Sequence, residues 1–288
     1  MTISNAQPIT GRLRLGFIFD AEIQKTRLNV YTQQPPLKVI RAFPISDGGA
    51  LVHLHNVSGG VLGGDQLEVS VHVETNAYAQ LTSTSATRIY RSQPHLPPAT
   101  QTAEMVVEEG GLLEYLPDPI IPFAGSRYIQ CSRIELAPNA GLFWWETLAP
   151  GRTACDEIFE YDLLHVDLDI SAQGKPLAIE RVRLAAPWQP SSLARLGIYR
   201  YISSFYICKV GLEATDWLRL EKELSTIAQQ LTIPGEIYWG VSTLVAHGLV
   251  VRTLSRGGRD IASGLYAFWR AAKQALYQWE ALLPRKLY

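Results

Sequence analysis

Charge and cysteine are both scarce in this chain: of 288 residues only 18% are charged and three are cysteine. Cys131, Cys155 and Cys208 lie far apart and form no C-x-x-C pair, which argues against a disulfide framework or a structural zinc site. They are expected to be reduced and largely buried. A net charge of −1 gives no electrostatic footprint for nucleic acid or an anionic membrane. No apolar run approaches the ~20 residues that span a bilayer, and MTISNAQPITGRLRL has no signal-peptide core, so a cytoplasmic protein is expected. A G-x-S-x-G nucleophile turn is also missing.

What is present is apolar: hydrophobic residues make up 47%. With so little charge to cover its surface, the folded chain is expected to expose an apolar patch and to have partners.

The most distinctive stretch runs from Asn56 to Ser92, NVSGGVLGGDQLEVSVHVETNAYAQLTSTSATRIYRS. Gly59, Gly60, Gly63 and Gly64 flank Val61-Leu62 and lead into Asp65. Four glycines in six residues read as a turn with left-handed backbone or close backbone approach. A phosphate loop needs Lys and a hydroxyl residue opening a helix, whereas here Asp-Gln opens a strand. Leu67, Val69, Val71 and Val73 alternate with Glu68, Ser70, His72 and Glu74, the pattern of a half-buried strand.

Further strands are predicted over 13–31, 37–40, 51–54, 158–170, 177–184 and 237–253. A weak repeat of about 30–34 residues joins the turns at Thr75-Asn76-Ala77, Glu109-Gly110-Gly111 and Pro138 to Gly141, each followed by an apolar strand. Pro187 to Pro190 punctuates the chain. Spacings of three and four predict helices over 215–231 and from Asp260, as N-cap, to about Pro284. The fold class read from these patterns is mainly β: stacked β-sheet layers or a β-helix-like body with two α-helices near the C-terminus, in a single domain over 1–288.

Several side chains suit a labile divalent ion. His53 and His55 are two apart in a strand and share a face, fitting either one metal ion or one exposed and one hydrogen-bonded histidine. Asp65 is either a ligand or an Asx-type cap of its turn. Asp118 and the Asp156-Glu157 pair are the other carboxylate candidates, and Arg88 and Arg91 are possible ion-pair partners. His72 lies on a polar strand face and reads as solvated.

The G-G-x-x-G-G-D turn, the hydroxyl-rich run 81–87 ending in Arg88-Ile89-Tyr90-Arg91-Ser92, LEYLPDPIIPFAGSRY (113–128) and the PGRTAC block with Asp156-Glu157 and Phe159 follow one another in the chain. Together they resemble the UreD (UreH) family of urease accessory proteins. The resemblance implies a non-catalytic maturation scaffold, or chaperone, in nitrogen metabolism. Such a protein binds apo-urease and, with a UreF-like accessory protein and a UreG-like GTPase, assists nickel insertion during metallocentre assembly. Nickel is then cargo in transit and no cofactor is permanently bound. The transient path would draw on Asp65, His53, His55, Asp156 and Glu157. Two other readings stand beside it: a β-rich hydrolase using Asp65 or His55, and a β-solenoid oligomer with no metal role.

Overall fold

The structure, a computed structural model, describes residues 8–185 and 196–281. Two β-sheets lie face to face, and a pair of helices covers the outer face of the second. The first sheet is built from β1 (Thr10–Asp20), β2 (Lys25–Gln34), β6 (Gln66–Val73), β9 (Ala99–Val107), β12 (Arg127–Leu136), β14 (Leu163–Ala172) and β15 (Lys175–Ala185), in the order β15-β14-β12-β9-β6-β1-β2. The second contains β3 (Leu37–Lys38), β5 (Ala50–Asn56), β7 (Tyr78–Ser83), β10 (Leu112–Tyr115), β13 (Gly141–Leu148), β16 (Tyr201–Lys209), β17 (Ile237–Thr243) and β18 (Gly248–Ser255), in the order β17-β18-β16-β13-β10-β7-β5-β3. Short strands β4 (Ala42–Pro44), β8 (Thr87–Ile89) and β11 (Ile120–Pro122) branch from it.

The centre is a parallel solenoid. The chain alternates between the sheets, β6 to β7, β9 to β10, β12 to β13, and each strand pairs in parallel with its equivalent one coil later. The turns between sheets stack as well: Asn76 N–H donates to the Glu109 carbonyl at 3.0 Å and Gly110 N–H to that of Pro138 at 3.2 Å. Asn76, Gly110 and Asn139 all take left-handed φ there, which Gly and Asn tolerate best. The repeat read from sequence is therefore the coil itself. Antiparallel pairs close both ends, β1 with β2 and β13–β16–β18–β17.

Strand β6 buries one face only, as its alternation predicts, because the outer face of the first sheet meets water. Strands of the second sheet have protein on both sides. Leu142, Trp144 and Leu148 join the inter-sheet core, while Phe143 and Trp145 pack under the helices with Phe205, Leu224, Phe268 and Trp269. Burial on both faces removes alternation, and this is why the sequence gives no strand signal for β16.

Helix α1 (Ala214–Leu231) buries Trp217, Leu220, Leu224 and Ala228 at the expected spacing. Helix α2 (Arg259–Tyr277) begins after Gly258, so Asp260 sits in the first turn and does not cap it, and the helix stops at a left-handed Gln278. The strand expected from 158 starts at Leu163, and the run 237–253 is a hairpin of two strands. Cys208 is buried and Cys131 half-buried, but Cys155 is exposed; all three are free. Pro187 to Pro190 and Pro284 lie outside the described residues.

Candidate functional site

On the flank opposite the Asn76 turns, the chain returns from the second sheet to the first through 57–65, 84–98, 116–126 and 149–162. The four sequence blocks are these return segments, and they stack. Val61 N–H donates to the Arg88 carbonyl at 2.8 Å and Tyr90 N–H returns to that of Val61 at 2.9 Å. β8 pairs in parallel with β11, Ser92 N–H reaches the Gly125 carbonyl at 3.0 Å, and Gly125 N–H reaches that of Glu160 at 2.8 Å.

The glycine turn is the outermost step. Gly59 and Gly64 have φ of +79° and +87°, and Gly60 lies so close to the next coil that a Cβ would sit 2.4 Å from Tyr90 Cε2 and 2.8 Å from the Arg88 carbonyl oxygen. Asp65 is 2% exposed and holds this turn: Oδ2 accepts the Leu62 N–H at 2.9 Å and Oδ1 the Ile9 N–H at 3.0 Å. Both bonds fasten the turn, but they run back to Leu62 and across to Ile9, not forward along the chain as in an Asx turn.

Deeper in the stack, Phe123 lies edge-on to Tyr90 and under the Arg152 guanidinium, 4.3 Å from the ring centroid. Arg152 makes a two-pronged ion pair with Glu157, whose carboxylate also accepts the Ala124 N–H at 3.1 Å. Hydrogen bonds from Arg152 hold the Glu157 carboxyl down, at about 2. Asp156 beside it is exposed in a left-handed backbone position. His53 and His55 share the outward side of β5: His53 is buried edge-on against Phe43, and burial followed by the His53 charge lowers the His55 pKa. The five residues read from the sequence thus fall into three places: the His53–His55 side of β5, Asp65 in the glycine turn, and Asp156-Glu157 in the last return segment. Among the described residues no group of three or more His, Cys, Asp or Glu is arranged to hold a metal ion.

The chemistry missed in the sequence lies between the sheets. A cavity of about 90 Å³ opens behind the glycine turn, lined by Gly60, His55, Ser83, Thr87, Gln101 and Tyr115 among others. A smaller one of about 20 Å³ lies further along, lined by Glu146, Glu180, Ser204 and Tyr206 among apolar neighbours. Polar side chains lie between them. Gln101 on β9 is in register with Gln130 on β12; Gln130 accepts the Tyr128 hydroxyl at 3.1 Å and donates through Nε2 to Glu146. Glu146 is in register with Ser204 on β16, Tyr206 donates to Glu180, and Arg252 Nη1 donates to Glu180 Oε1 at 2.8 Å, its side chain half in solvent. Burial raises the Glu146 carboxyl to about 7, and the nearby Glu180 charge adds to this. A titratable group so displaced inside an apolar sandwich is a functional candidate. Its sequence signal is faint: one glutamate within the aromatic run GLFWWETL.

The family model described as "UreD urease accessory protein" matches residues 10–287. A curated relative from Herpetosiphon aurantiacus, named urease accessory protein UreD, is 47% identical over 288 residues, covering 100% of this chain and 99% of the relative. Proteins of the same name from Pseudomonas putida (strain W619) and Photorhabdus laumondii are each 30% identical. The first covers 96% of this chain and 93% of the relative; the second covers 93% and 83%.

Proposed function

The chain belongs to the UreD urease accessory protein family and has a role in urease maturation; from that premise we propose that it is a scaffold that binds apo-urease and assists nickel insertion with a UreF-like protein and a UreG-like GTPase. Nickel passes through as cargo. The observation that carries this reading is the polar row between the sheets, from Gln101 through Gln130, Glu146, Ser204 and Tyr206 to Glu180 and Arg252.

A β-sandwich core gains nothing in stability from buried carboxylates, because taking a charge out of water is costly. Oxygen donors spaced along such a row suit an ion that must leave again, since no donor set encloses it. Thr87 lines the mouth, while His55 on the outward side of β5 and the exposed Asp156 remain proposed contacts of the ion before it enters. Asp65 and Glu157 serve the path by holding its entrance in shape. The chain performs no bond-making step in this scheme; it positions partners and offers a route.

The test is co-expression of the full chain with urease subunits and the partner proteins, comparing wild type with Glu146→Leu. The expected result is normal yield of the assembled complex with urease nickel content and activity reduced about tenfold or more. Full nickel loading in Glu146→Leu overturns the interior route.

A further inference from the structure

Each sheet ends in two edge strands, and a strand edge offers unpaired N–H and C=O groups to any other strand. Three of these edges carry features that discourage such pairing. β2 has Lys25, Arg27 and a break in register with β1 at Arg14-Leu15; β15 has Lys175, Pro176, Arg181 and Arg183; β3 is only two residues long. β17 has none of them. From Ile237 to Val245 the chain carries no charged residue and no proline, and Tyr238, at 58%, and Val245, at 82%, are exposed.

Hydrogen bonds fix which part of this edge is open. Ile237 N–H donates to the Ile233 carbonyl at 3.0 Å and its own carbonyl accepts the Ile233 N–H at 2.9 Å, while Trp239 N–H donates to Thr232 Oγ1 at 3.0 Å. Odd-numbered residues therefore turn their backbone groups away from β18, and residues 232–233 cover the edge only as far as Trp239. Val241 and Thr243 continue the alternation, and neither N–H has a partner among the described residues. The face away from the helices is open too: β15, the last strand of the first sheet, reaches only to β18, where Glu180 meets Arg252, so Tyr238, Gly240 and Ser242 are exposed.

We propose that β17 is the edge through which two copies of this chain pair, antiparallel about a twofold axis at Ser242. In that register Val241 lies opposite Thr243 of the second copy, and the two exchange N–H to C=O bonds on each side of the axis, so every open N–H of the edge is used. Centring the axis on Val241 would press the second strand onto Thr232, so the covered half of the edge sets the register. No charge lies in the paired stretch to repel its copy. Such a pair goes beyond the maturation role and needs no interior route; it brings two scaffolds into the assembly together.

The experiment is sedimentation velocity on the full chain over a concentration series, with circular dichroism as the folding control. Wild type is expected to pass from monomer to dimer. Ser242→Lys, on the exposed face, sets two like charges against each other at the axis and is expected to weaken pairing about tenfold or more; Ser242→Glu does the same, and mixing the two variants restores the dimer. Ser242→Cys places two thiols at the axis, where facing Cα atoms lie about 4.5 Å apart, so oxidation cross-links it beyond the wild-type level. Thr243→Cys faces Val241 of the second copy and does not cross-link. Should the isolated chain not stay in solution, cross-linking is read in the co-expressed complex. If Ser242→Cys fails to cross-link, or Ser242→Lys sediments like wild type, the pairing is overturned. A chain that is monomeric alone but loses a partner protein through Val241→Pro, which removes an N–H outside the β18 ladder, also overturns it and gives the edge to a strand of that partner.

Discussion

Asp65 Oδ1 accepts the backbone N–H of Ile9 at 3.0 Å, joining residues 56 apart and fastening the glycine turn to the chain just before β1. Its other oxygen accepts the Leu62 N–H at 2.9 Å. Asp65→Asn keeps one acceptor but turns an amide NH2 towards the second donor. A loss of roughly 1–3 kcal/mol is expected in urea unfolding. Unchanged stability would mean that these two bonds do not hold the turn.

The glycines of the turn should separate by mechanism. At Gly59 a Cβ finds its nearest neighbour 4.0 Å away, so Gly59→Ala meets only the left-handed φ, costing about 1 kcal/mol. Gly60 has ordinary φ but no room beside Tyr90 and the Arg88 carbonyl. Gly60→Ala should therefore cost more, about 1–3 kcal/mol, because backbone must move. Pairing it with Tyr90→Ala should recover part of the loss; no recovery in that double variant would place the strain elsewhere.

Under α2, Lys273 Nζ sits 3.2 Å from Glu114 Oε1, both side chains almost wholly buried. Tyr78, Gln80 and Trp269 also donate to Glu114, and Lys273 donates to the Tyr78 hydroxyl. Lys273→Met leaves the carboxylate without its counter-charge and should cost about 3–5 kcal/mol, whereas Glu114→Leu with Lys273→Met should cost less than the single change. Denaturant titration of the three proteins measures this, and additive losses would rule out coupling.

Stability should depend on pH through two carboxyls with opposite sign. Glu146 titrates at about 7 when folded, against 4.5 when unfolded. Between those values the unfolded chain gives up a proton that the folded one keeps, so wild type loses stability as pH rises through that window. Glu146→Gln should gain on wild type across it, by on the order of 2–3 kcal/mol, and the gain should level off above pH 7. Glu157 is held at about 2, so its contribution is present above 4.5 and lost as pH falls towards 2; Glu157→Gln should flatten that acid limb. Urea midpoints across pH 3–9 test both signs.

Local patterns reported what local forces decide. Alternation from Leu67 to Val73 announced a strand with one wet face, and spacings of three and four announced α1. The turn repeat disclosed the coil because each coil must bring a left-handed residue to the same corner, where Asn76, Gly110 and Asn139 stand. The glycine turn was legible for a similar reason: few residues but glycine permit its backbone.

Tertiary structure alone decided which of these parts meet. The return segments lie some 30 residues apart in the chain and become neighbours only when the coils stack, so Phe123 packing between Tyr90 and Arg152 carries no local signature. In sequence Glu157 reads as a carboxylate candidate for a metal ion; in the fold Arg152 and the Ala124 N–H close on it. The polar row from Gln101 to Glu180 crosses strands of both sheets, and whether a glutamate such as Glu146 meets water or the interior depends on a second sheet that its own neighbours in sequence do not specify. A residue's period sets the side of the strand to which it points; what waits on that side is set by packing at long range.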